Sequence, residues 1–175
     1  MASRREVGAI AKRQLALRDH LWPGCESRLW DRKVHDGFTT IPKTMPLVQR
    51  AMDEMTKNTP VSSTYLALWC ATWDNSFVVL SKPGELASAA GFSGQRAVRT
   101  WMDRMRLLQE LGFVDIKPGP SGPMSYALIL NPHLVVHVLR REGKTGLTET
   151  TYNALIERAL DIGADDMATP PAEAA

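Results

Sequence analysis

The sequence predicts a mainly α-helical protein with a small antiparallel β wing, a winged helix-turn-helix flanked by N- and C-terminal helices. Three observations predict it. Pro83-Gly84-Glu85-Leu86-Ala87-Ser88-Ala89-Ala90-Gly91 has the make-up of a short helix opened by proline and closed by glycine. From Ser93 to Leu111 apolar residues recur at helical spacing, with Ala97, Trp101, Met105 and Leu108 on one stripe. Gly112-Phe113-Val114-Asp115-Ile116-Lys117 and Met124-Ser125-Tyr126-Ala127-Leu128-Ile129-Leu130 then read as two strands around a tip, Pro118 to Pro123.

Around that module the elements follow in order. Arg4 to Leu21 can form a helix with one apolar stripe and a basic face, stopped by Pro23-Gly24. Cys25 to Thr44 is irregular, with a turn at Asp36-Gly37. Met45 to Lys57 places Leu47, Val48, Ala51, Met52 and Met55 on one side of a helix. A further helix is expected from Ser62 to Asp74, with Tyr65, Leu68, Trp69, Thr72 and Trp73 facing the core. Phe77-Val78-Val79-Leu80 is a short strand suited to pair with the wing. Asn131-Pro132 starts a helix to Arg141, with Leu134, Val135, Val138 and Leu139 inward. A last helix, Glu149 to Ile162, carries Tyr152, Leu155, Ile156, Ala159 and Leu160 on one face. The organisation expected is a basic helix and arm (1–37), the winged-helix domain with its lead-in helix (38–142), a C-terminal helix (143–167) and a disordered tail (168–175).

Composition permits a core and points weakly to a polyanion. The 175 residues are 44% hydrophobic and 23% charged, with a formal net charge of +2, so a histone-like excess of charge is excluded. The charge is uneven. Residues 1–33 hold eight Lys/Arg against four acids, whereas residues 131–175 hold four against seven. Cys25 and Cys70 match neither a metal-ligand spacing nor a disulfide framework, and Cys70 is expected to be a buried small hydrophobe. With no signal peptide and no long apolar run, a cytoplasmic protein without a membrane span is expected.

Motifs for catalysis are missing from the sequence. There is no Walker loop, no nucleophile elbow and no plausible carboxylate pair, so no enzyme and no cofactor is expected. His133 and His137 have metal-ligand spacing, but no Cys or carboxylate set accompanies them. Two partly exposed helix histidines are the expectation, with no metal. Gly91-Phe92-Ser93-Gly94 matches a bare GxxG in the wrong order of elements. Trp69, Trp73 and Trp101 fall on core stripes, while Trp22 and Trp30 are unassigned.

The candidate reading surface is the polar face of the Ser93–Leu111 helix. Gln95, Arg96, Arg99 and Thr100 occupy its first turns, the half that enters the major groove in helix-turn-helix proteins. Arginine pairs with guanine and glutamine with adenine through two hydrogen bonds each, so these side chains suit base edges. Ser93 is expected to cap the helix and grip a phosphate, with Arg106 further along the same face. An intrahelical Arg99–Asp103 pair is the ordinary structural alternative. Arg4, Arg5, Lys12 and Arg13 are candidate phosphate contacts on the N-terminal helix.

Glu85-Leu86-Ala87-Ser88-Ala89-Ala90-Gly91-Phe92-Ser93, followed by a helix and Leu111-Gly112-Phe113-Val114, resembles the core of bacterial winged-helix regulators. The lead-in from Phe38 to Trp73 resembles, more loosely, the segment before the winged helix in plasmid replication initiators and related plasmid-borne proteins. The resemblance implies that Gln95, Arg96, Arg99 and Thr100 face bases and that Lys117 and Ser121 are wing contacts. It also implies a homodimer on double-stranded DNA, acting as a transcriptional regulator or a replication accessory. The outer helices 4–21 and 149–162 are the candidates for dimerisation. The chain departs from the pattern at its proline-rich wing tip, where Lys117 is the one cation nearby. A winged-helix adaptor that contacts protein in replication, conjugation or anti-restriction, without DNA, is the alternative.

Overall fold

The computed structural model describes residues 4–168, and the side chains of 8–164, 166 and 167. Helix α1 runs Arg4–Leu21 and leads through a 3-10 turn, Glu26–Arg28, into an extended arm. Then follow α2 (Met45–Thr56), α3 (Ser62–Ala71), β1 (Phe77–Val79), α4 (Pro83–Ala89), α5 (Ala97–Glu110), β2 (Val114–Gly119) and β3 (Gly122–Ile129). The chain continues as α6 (Pro132–Arg141), α7 (Glu149–Ile162) and α8 (Asp165–Ala168). The fold is therefore mainly helical, with one three-stranded antiparallel sheet in the order β1-β3-β2.

The sheet is built by alternation. Val78, Ala127, Val114 and Ile116 turn inward and are buried, whereas Phe77, Val79 and Leu128 turn outward. Val78 pairs with Ala127, and Val114 with Ile129. The β2–β3 hairpin is tighter than the sequence suggests: Gly119 faces Gly122, so Pro120 and Ser121 alone form the turn, in place of a tip from Pro118 to Pro123. Pro118 is tolerated because β2 is an edge strand and its ladder is irregular between Lys117 and Gly119. A Cβ on Gly119 would come within 2.5 Å of the Tyr126 ring, so the close approach requires glycine.

The core joins α2 and α3 to α5 and the inner sheet face. Trp101, Tyr65, Phe113, Met52, Met105 and Leu108 are among its largest fully buried side chains. Tyr65 meets Phe113 edge to face at 5.8 Å between ring centroids, linking α3 to the start of β2. Asp53, near the end of α2, accepts hydrogen bonds from the Val61 and Ser62 amides at 2.8 and 3.0 Å and so holds the first turn of α3.

Two expectations about α3 are corrected. The helix ends at Ala71, because Thr72 is extended and Asp74 and Ser76 have positive φ. Trp73 thus leaves the helical stripe and is 91% exposed rather than in the core. Cys70 is exposed, since Thr64, Tyr65, Ala67 and Leu68 form the buried side of α3; Cys25 in the arm is the buried cysteine. No helix among the described residues is long and apolar enough to cross a membrane.

The C-terminal helices are fastened by polar anchors. Glu54 on α2 accepts from Thr151 Oγ1 at 2.7 Å, from Thr148 Oγ1 at 3.0 Å and from Arg50 Nε at 3.0 Å, bringing a carboxylate to the first turn of α7. Gly146 (φ +99°) passes so close that a Cβ would lie 2.7 Å from the Glu54 carbonyl oxygen. His133 on α6 is buried rather than partly exposed, whereas His137 is half-buried. His133 Nδ1–H donates to Asp166 at 2.9 Å, and its Nε2 accepts from the Thr44 hydroxyl at 2.7 Å. His137 Nε2–H donates to the Met167 carbonyl, and its Nδ1 accepts from the Tyr152 hydroxyl, both at 2.9 Å. Those bonds rotate α6, so Pro132, His133, Val136 and Leu139 are buried while Leu134, Val135 and Val138 are only half-buried.

Candidate nucleic-acid interface

The surface built by α4 and α5 begins with two glycines. Gly91 (φ +87°) ends α4, and the Phe92 amide reaches back to the Ala87 carbonyl at 2.9 Å. Gly94 (φ +79°) then interrupts the chain before α5. A residue in that left-handed region cannot be the first turn of a helix, so Ser93 does not cap α5. The helix starts at Ala97, one turn later than the sequence suggests. Ala97 N–H meets Gly94 O at 3.1 Å, and Thr100 N–H meets Arg96 O at 2.9 Å. No side chain caps α5, and among the described residues the Val98 and Arg99 amides of its first turn have no hydrogen-bond partner.

This moves Ser93, Gln95 and Arg96 from the helix to the turn ahead of it, where all three are exposed. Arg99 is exposed on the first turn of α5, and Thr100 beside it is half-buried. The five residues Ser93, Gln95, Arg96, Arg99 and Thr100 are therefore gathered at the head of α5. Neither Arg96 nor Arg99 makes an ion pair among the described residues. Burial of Trp101, Met105 and Leu108 fixes the roll of the helix and turns Arg99, Asp103 and Arg106 to solvent.

The remaining candidates are elsewhere or engaged. Arg106 lies about 10 Å further along the axis and pairs with Asp103 at 2.5 Å, so the intrahelical pair formed is this one and not the alternative Arg99–Asp103. Lys117 pairs with Asp115 at 3.1 Å across the outward face of β2. Ser121 sits in the hairpin turn, where its amide donates to Ser125 Oγ at 3.1 Å. Lys12 and Arg13 are exposed on α1; Arg4 and Arg5 belong to that helix, with side chains outside the described residues. The structure thus collects one compact cationic group and leaves the wing nearly neutral.

Three features escaped the sequence reading. The outward sheet face presents Phe77, Val79 and Leu128, with Phe77 stacked on Tyr126 at 5.8 Å. A groove of about 500 Å³ lies between the end of α5 and α6. Asp19, Cys25 and Glu26 bring one potential ligand atom each within 4.8 Å of one another. Arg18 already bridges Asp19 and Glu26, at 2.5 and 3.6 Å, and its hydrogen bond to Asp19 pushes the guanidinium pKa up. That cation offsets one of the two carboxylate charges from within the chain. His133 and His137 likewise spend both ring nitrogens on protein partners, so neither presents a lone pair to a metal.

The class that the structure defines is a mainly helical fold with a small antiparallel sheet and an exposed cationic turn. No protein-family model, no curated protein and no solved structure matches this chain.

Proposed function

We propose that the protein is a winged helix-turn-helix that binds double-stranded DNA sequence-specifically, as a bacterial or plasmid-encoded transcriptional regulator or replication accessory. The observation that carries this reading is the exposed group Gln95, Arg96 and Arg99 at the open N-terminal end of α5. Its setting supports it: α3, β1, α4, α5, β2 and β3 follow one another in the winged-helix sequence of elements, with β3 between β1 and β2. In this reading the head of α5 enters the major groove, where Arg96 and Arg99 meet guanine edges and Gln95 an adenine edge. Uncapped amides of α5 and the Ser93 hydroxyl take phosphate oxygens. Lys12 and Arg13 add sequence-independent attraction, and two copies read a palindromic site.

Fluorescence anisotropy with duplex DNA at two salt concentrations tests the reading. Expected is binding that weakens steeply with salt and is lost in Arg96→Ala/Arg99→Ala, because each phosphate contact releases a counterion. Binding that the double substitution leaves intact overturns the assignment of α5 as reader.

A second reading has its own observation. The apolar outer sheet face, Phe77, Val79 and Leu128, favours a protein partner at the wing. As an adaptor in replication, conjugation or anti-restriction the chain would bind no DNA even at low salt. Phe77→Ser would then release a partner that Arg96→Ala/Arg99→Ala retains.

A further inference from the structure

Two surfaces of this molecule complement each other without meeting. The first is α1. Ile10, Gln14, Leu17 and Leu21 recur at spacings of four, three and four, which sets them along one side of the helix. Ile10, Leu17 and Leu21 are 52%, 58% and 54% exposed, so this stripe packs on nothing in its own chain. Most helical stability in proteins comes from packing an amphipathic face, and the stripe of α1 has no such packing in its own chain. By the helical angle, Arg13 borders the stripe, and Lys12 lies on the opposite side.

The second is the groove between α5 and α6. Leu134, Val135 and Val138 form one wall, and Leu111 and Leu130 line it from the body. Two exposed carboxylates, Glu110 and Glu142, belong to the same groove. Neither carboxylate has an ion-pair partner among the described residues. A basic helix with an apolar stripe is thus matched, in polarity and in sign of charge, by an apolar groove edged with acids.

We propose that α1 docks, stripe inward, into the α5–α6 groove of a second copy of this chain. Each copy offers one helix and one groove, so the reciprocal contact closes on itself with two-fold symmetry. Docking in the partner rather than in the same chain rests on the single chain itself, where the stripe of α1 stays exposed and its ion pairs, Arg18 with Asp19 and Glu26, lie within the helix and the junction after it. Arg13 then meets Glu110 or Glu142 of the partner groove, and Lys12 stays on the outer side of the docked helix. The proposal supplies the dimer that the DNA reading calls for, but no DNA enters its test, so either can fail alone.

Analytical ultracentrifugation of the full chain over a concentration series, without DNA, reads the dimer directly. Expected is a dimer whose Kd rises about tenfold or more in Leu17→Glu and equally in Val138→Glu. Trp73→Ser, on a different surface, leaves it unchanged. Because Val138→Glu touches a half-buried side chain, exposed charges provide a second pair: Arg13→Glu weakens the dimer, and adding Glu110→Lys/Glu142→Lys restores it. A monomer at every concentration overturns the proposal, including the case where α1 occupies its own groove. A dimer broken by Leu17→Glu but indifferent to Val138→Glu also overturns it, since two α1 helices would then pair with each other.

Discussion

Helices α1 and α7 read alike in sequence and stand differently in the molecule. Both carry an apolar stripe at helical spacing, and both lie toward the ends of the chain. Yet α7 buries Thr151, Leu155 and Ala159 against the body, whereas every described apolar side chain of α1 stays exposed. What separates them is the polar anchoring. Helix α7 begins at Thr148, whose hydroxyl caps its own first turn, and Glu54 reaches over from α2 to take the Thr148 and Thr151 hydroxyls. Tyr152, still in its first turn, bonds His137, and the short α8 beyond its far end is held by Asp166 on His133 and by the Met167 carbonyl on His137. Among the described residues α1 has only Arg18 with Asp19 and Glu26, all within its own junction. An amphipathic stripe says that a helix will bury one side. Directional hydrogen bonds decide against what.

Substitutions in the two helices should separate them sharply. The largest effect is expected of Leu155→Ala, which empties a fully buried position of α7 and costs about 2–5 kcal/mol in a denaturant melt. Next is Gly146→Ala, where a left-handed backbone and a clash with Glu54 O combine. Strain of about 1–3 kcal/mol, seen as a lower thermal midpoint, is expected. Glu54→Gln keeps the shape but removes the charged acceptor, with a loss of about 1–2 kcal/mol.

That loss has a pH signature. Burial opposes ionisation of Glu54 and Asp166, but hydrogen bonds outweigh it and hold both carboxyls below their usual range: Thr151, Arg50 and Thr148 act on Glu54, Asn131 and His133 on Asp166. Groups whose folded pKa is depressed stabilise the fold above the unfolded value, near 4, and lose that contribution as pH falls through the lower folded value. The gap between wild type and Glu54→Gln should therefore narrow as pH falls below about 4 and close once it has passed the lower folded value. A constant gap across that range would remove the charge from the account. The smallest effect is expected in α1, where Leu17→Ser should move the monomer's stability by no more than about 0.5 kcal/mol, read at dilution. A loss as large as that of Leu155→Ala would mean that α1 is packed in the monomer after all.

The sequence by itself determined the elements and most of their bounds. Helices α1, α6 and α7 and strand β1 begin and end close to where proline, glycine, capping side chains and periodicity set them, because those signals act within a few residues. It also selected Arg99 at the head of α5, whose exposure follows from the burial of Trp101, Met105 and Leu108, whereas Gln95 and Arg96 are exposed because they lie in the turn ahead of the helix. Only the tertiary structure decided the rest. Ser93 looks like a helix cap until Gly94 takes a positive φ, and Trp73 looks like core until α3 stops at Ala71. His133 looks partly exposed until Thr44 and Asp166 converge on it from sequence positions 89 and 33 residues away. Periodicity reports that a helix has two sides. Which side is buried, and how far the helix runs, depends on hydrogen bonds and contacts between residues distant in the chain, and these exist only once the chain has closed on itself.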